Sequence, residues 1–126
     1  MDEERPRPGQ PTSDKQSALS KPLTIGAMGG LLYILRNAGR GGCVDVTSHF
    51  KMRAAQRGFS TPEALSVLRH GTVISGPDFC AEFCNWKFSV ELEQDDEDLV
   101  IVAGVCAGDA AQVWSKNVML ITGFFR

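Results

Sequence analysis

Residues 47–60 read TSHFKMRAAQRGFS, and within them His49, Arg53 and Arg57 recur every fourth residue. On a helix turning about 100° per residue, Arg53 lies about 40° and Arg57 about 80° from His49, with Gln56 about 20° to the other side. The four then share one polar stripe about 12 Å long. Arginine grips phosphate through parallel N–H donors and keeps its charge at neutral pH. A neutral imidazole beside guanidinium groups is a suitable general base facing a phosphate. The stripe therefore suits phosphodiester chemistry. It also suits the solvated face of an ordinary amphipathic helix, and the spacing alone leaves both readings standing.

Other groups carry weaker chemical signals. In CAEFCNWKFSVEL, residues 80–92, the even positions share one strand face, and Glu82 is the lone carboxylate on a side otherwise apolar. Such a carboxylate is either paired, with an arginine of the first helix, or functional as a second acid-base group. A bulge near Cys84 would turn it outward instead. Thr122, on the last strand between Leu120 and Phe124, is either a hydroxyl aimed at the site or a simple β-former. His70 sits before Gly71 at a helix C-terminus, where a cation is favoured by the dipole. Cys80 and Cys84 lack zinc-site spacing, so Cys80 and Cys84 read as small buried hydrophobes. The acidic run at 95–98 lacks the ligand alternation of a calcium loop. AGRGG, residues 38–42, has no Lys-Ser/Thr behind it and is not a nucleotide loop.

The elements that must position these groups follow from pattern and composition. Residues 1–21 are rich in Pro, Ser, Gln and charge, and are expected to form a disordered tail. Residues 22–42 form an apolar, Gly-rich lead-in, with a short helix at 31–35 stopped by the glycines up to 42. Its apolar patch is either a partner-binding segment or packing for the chain's own sheet. Residues 43–126 form the main domain. CVDV reads as a short strand, followed by a helix capped by Thr47 or Ser48 and stopped at Gly58. Ser60 and Glu63 have capping-box spacing before a second helix that ends at Gly71, with Leu65 and Leu68 on its buried face. From residue 72 the period falls to two, with strands at 79–93, 99–106 and 117–125. EQDDEDL is a hairpin tip and AGDAAQ a turn. The pattern predicts an α+β fold with N-terminal helices packed on a small antiparallel β-sheet.

The totals fit one soluble domain of 126 residues with net charge −2. A global basic footprint for nucleic acid is therefore absent, but the charge is segregated. Residues 36–69 hold six basic side chains against two acidic, a net of +4, whereas 78–109 hold nine acidic against Lys87, a net of −8. The acidic, Pro-rich start lacks the basic region of an export signal. The expectations are a cytoplasmic location, reduced cysteines and no membrane association, the longest early apolar stretch being too short to span a bilayer.

HFKMRAAQRGFS resembles the His-x-x-x-Arg-(Met)-x-x-Arg-Gly-Ile-Ser signature of a bacterial family, domain of unknown function 4258. LRHG at 68–71 resembles that family's Leu-x-x-Gly phrase, and LITGFF its closing Ile-Thr phrase. The likeness runs over about residues 44–124. Phe50 stands in place of a usual small residue and Ala54 in place of a usual Met. Such domains are similar in layout to the barnase, colicin and RelE-like ribonucleases. The resemblance implies an RNA-binding, metal-independent endoribonuclease toxin without cofactor, with a protein antidote or other protein partner. His49 would move the proton, Arg53 and Arg57 would stabilise charge, and Glu82 would be a further acid-base group. Lys51, Gln56 and Thr122 would contact substrate. The alternative is a non-catalytic interaction domain on the same RelE-like fold, its basic stripe docked on a partner's acidic surface.

Overall fold

Among the described residues, three helices pack on a five-stranded sheet around one hydrophobic core. A computed structural model describes residues 23–82, 84–107 and 114–126; the expected tail at 1–21 and most of the AGDAAQ turn lie outside them. In chain order the elements are α1 (Ile25–Arg36), β1 (Val44–Val46), α2 (Ser48–Arg57), α3 (Thr61–His70), β2 (Thr72–Cys80), β3 (Asn85–Leu92), β4 (Leu99–Ala107) and β5 (Trp114–Phe125). The fold is α+β, as the pattern predicts. The sheet, however, is mixed rather than purely antiparallel. Its order is β1-β5-β4-β3-β2, with β1 parallel to β5 and the other four an antiparallel meander.

Helix starts follow side-chain chemistry. The Thr24, Thr47 and Ser60 hydroxyls each accept an N–H three residues on, from Ala27, Phe50 and Glu63. Gly58 closes α2 in the left-handed conformation at φ 80°. His70 lies in the last turn of α3 as expected, and Arg36 of α1 serves the carbonyls at that end. Its guanidinium donates to the Leu68 carbonyl at 3.0 Å and to the Gly71 carbonyl.

α1 is longer than the five-residue helix read from the sequence, running through Gly26, Gly29 and Gly30. Tertiary packing overrides the glycine penalty, because Leu31 and Leu35 are wholly buried in the core. Of the two roles open to the lead-in's apolar patch, packing on the chain's own sheet is the one observed. The strand expected at 79–93 is two strands. The chain turns between Cys80 and Asn85, which pair, and Cys84 adopts φ 51°. Beyond the turn the expected parity holds, with Trp86, Phe88 and Val90 buried. The β2 edge carries two register irregularities, a device that discourages edge-to-edge pairing. Among the described residues no helix is long and apolar enough to cross a membrane.

Candidate functional site

β1 covers β5 only from Val118 to Leu120. Beyond that point the rest of β5 runs past the end of β1, and α2 takes the place of the edge strand. Thr47 makes the handover. Its N–H donates to the Leu120 carbonyl at 3.2 Å, and its hydroxyl donates to the Ile121 carbonyl at 3.0 Å while accepting from Phe50. The helix start is thereby tied to the strand.

Packing fixes the helix rotation. Phe50 is buried and Ala54 packs on the core, whereas Met52 and Ala55 are exposed. His49, Arg53 and Arg57 sit within about 100° of Phe50 around the helix, on the shoulder facing β5. The Phe59 ring meets Phe50 edge-on at 5.6 Å and Phe125 at 6.0 Å, holding the end of α2 against the strand. Gly123 permits this approach. A Cβ there would sit 2.6 Å from the Phe59 ring and 2.8 Å from Ile101 Cδ1.

The result is an open cleft of about 430 Å³ lined by His49, Arg53, Arg57 and β5 residues Thr122, Gly123, Phe124 and Phe125. His49 and Arg57 are exposed and Arg53 is half-buried. Among the described residues, none of the three is held in an ion pair; the pair nearby joins Arg126 to Glu91 at 3.2 Å. Thr122 lines the cleft at a point where strict alternation breaks. Val102 pairs with Thr122 and Ala103 with Leu120, so one extra residue, Ile121, is inserted and turns Thr122 away from the Leu120 face.

Three further residues named from sequence lie outside the cleft lining. Glu82 is exposed in the β2–β3 turn, not on a buried strand face. That turn adjoins Asn85, which pairs with Cys106 near the Trp114 end of β5. Thr122 lies eight residues further on, roughly 26 Å along the strand. Glu82 therefore pairs with no helix arginine and reaches no part of the cleft. Gln56 is exposed on the outer side of the stripe, and Lys51, about 200° from His49, points away from it. The sequence reading missed Gly123 and Phe125 as the cleft floor. A glycine between large residues inside a strand is the signal that another group approaches closely there.

No family model, curated protein or solved structure matches this chain. Among the described residues, no three His, Cys, Asp or Glu side chains gather into a group that could hold a metal. What the cleft offers chemically is two guanidinium groups, one imidazole, one hydroxyl and a stretch of strand beyond its neighbour's end. Those groups carry the positive charge and N–H donors that contact with an oxyanion requires.

Proposed function

We propose that the cleft binds the RNA backbone and cleaves it by transesterification. The observation that carries this reading is the gathering of His49, Arg53, Arg57 and Thr122 around one open concavity. The ribose 2′-oxygen attacks the adjacent phosphorus, forming the O2′–P bond as the P–O5′ bond breaks. His49 takes the proton from the 2′-hydroxyl, and the departing 5′-oxygen acquires a proton from the imidazolium or from water. Arg53 and Arg57 balance the charge that grows on the phosphoryl oxygens. The choice of this reaction, and of a toxin role with a protein antidote, rests on the likeness of HFKMRAAQRGFS to the family 4258 motif.

One observation favours the second reading, a non-catalytic domain docking on an acidic partner. With Glu82 at a distant turn, His49 is the cleft's lone proton-transfer group among the described residues. Production in bacteria separates the two readings. Cleavage predicts slowed growth and RNA scission by purified protein in the presence of a metal chelator. His49→Ala then lowers the rate by about 10²–10⁴-fold. Arg53→Lys lowers it too, because the ammonium lacks the paired donors. Intact RNA, and growth identical for parent and His49→Ala, would overturn catalysis and leave the docking surface.

A further inference from the structure

A second cleft of about 430 Å³ opens at the C-terminal end of α1, lined by Gly30, Tyr33, Ile34, Asn37, Arg40 and Lys116. It joins two cations to an aromatic ring that is 69% exposed. An exposed tyrosine beside cations that no described acidic residue pairs is what a base stacked next to its phosphate requires. The Gly-rich turn AGRGG builds this arrangement. A Cβ on Gly42 would lie 2.1 Å from the Lys116 carbonyl, so only glycine lets the turn seat against β5, and the Lys116 stem lies 3.5 Å from the Cβ position of Gly41. The end of α1 would repel an anion if its carbonyls were free. Three of them are engaged: the Asn37 side chain donates to the Tyr33 carbonyl at 2.8 Å, the Ala38 N–H to the Leu35 carbonyl at 3.3 Å and the Arg40 N–H to the Asn37 carbonyl at 2.9 Å.

The two clefts share β5. Lys116 and Thr122 are six residues apart, about 20 Å along the strand. On the far side of the His49 cleft, Phe125 also borders a hollow lined by Asp95, Asp96 and Glu97. A polyanion leaving the His49 cleft meets three carboxylates in that direction; in the other it passes one, the exposed Asp45 of β1, before reaching Arg40 and Lys116.

We infer that the ligand is single-stranded RNA, running from the His49 cleft along the β1 side of the molecule to a base-stacking site at Tyr33, Arg40 and Lys116. This deepens the RNA reading above and rests on it. The span is compatible with grooves that take about 4–16 nucleotides. The test uses fluorescent, non-cleavable 2′-O-methyl oligonucleotides, one a trinucleotide and one of about ten nucleotides. The expected result is that Tyr33→Ala and the pair Arg40→Glu, Lys116→Glu each weaken the longer strand by about tenfold or more, with the trinucleotide unaffected. Circular dichroism confirms that these surface variants stay folded. Equal affinity of parent and variants for the longer strand, with both still binding the trinucleotide through Arg53, overturns the path and spares the RNA reading. Failure of the parent to bind either strand overturns both. Binding of polyglutamate that depends on Arg40 and Lys116 but not on Tyr33 would assign the second cleft to an acidic protein instead.

Discussion

At the scale of single residues, the four cysteines differ in their surroundings. All are free; Cys43 is exposed, and the other three are half-buried. Burial pushes the Cys106 thiol above its ordinary value of 9.0, with Asp45 and then Cys84 adding to the effect. A thiol whose folded pKa exceeds its unfolded value favours the folded state up to the unfolded pKa, and that contribution is lost as pH rises through the folded value. Urea midpoints measured on either side of pH 9.0 should fall with rising pH, and Cys106→Ala should flatten the slope. An unchanged slope would mean that another group governs the alkaline limb. Gly123 gives a second residue-scale prediction. Gly123→Ala places a methyl group against Phe59 and Ile101, an overpacking that costs about 1–3 kcal/mol. A thermal melt should show the loss, and the RNA binding proposed for the cleft should weaken as α2 is pushed from β5.

Among the elements, α2 and α3 depend on different anchors. α2 is held by Thr47 on β5 and by the Phe50–Phe59–Phe125 rings. α3 is joined to α1 through Arg36, whose guanidinium satisfies carbonyls at the α3 terminus. Hydrogen bonds from a charged donor contribute about 1.5–3 kcal/mol. Arg36→Ala should therefore lower the unfolding free energy by that order. Both bonds leave the one nitrogen Nη1, so Arg36→Lys should recover only part of it because the shorter side chain brings its ammonium less far toward the two carbonyls. Equal denaturant midpoints for all three proteins would show the contact to be idle. The same result bears on charge reading. One of the six basic residues in 36–69 is spent on structure, and the basic clefts are built by Arg53 and Arg57 in one place and by Arg40 with Lys116 in another.

For the whole molecule, α1 is a structural partner of the sheet. Leu31 and Leu35 are wholly buried alongside Val67, Leu68 and Leu120. A chain comprising residues 43–126 loses these side chains and the Arg36 contacts together. It should show no cooperative melt by circular dichroism, in contrast to the full chain. A sharp transition at the full-length temperature would support the division at residue 43. The segregated charge also acquires a spatial meaning. The acidic β3–β4 tip lies next to the basic cleft, with Phe125 bordering both. The small net charge therefore conceals opposite fields on neighbouring surfaces.

Local rules sufficed wherever the deciding interaction lay within a few residues. Thr47, Ser60 and Gly58 mark helix ends because capping is a contact between near neighbours. The stripe of His49, Arg53 and Arg57 is legible because helical period is a property of the backbone. Three features were decided only by distant contacts. The break between Cys80 and Asn85 left Glu82 outside the site, although CAEFCNWKF keeps strand-like parity across it. The extra residue at Ile121 takes Thr122 off the Leu120 face, and such an insertion exists only relative to β4. The parallel pairing of β1 with β5 joins segments more than seventy residues apart and stops at Leu120. That stop leaves the end of β5 to α2, and so creates the cleft. Alternation and helical period report which face a residue shares with its neighbours, but the partner opposite that face is chosen by the folded chain as a whole.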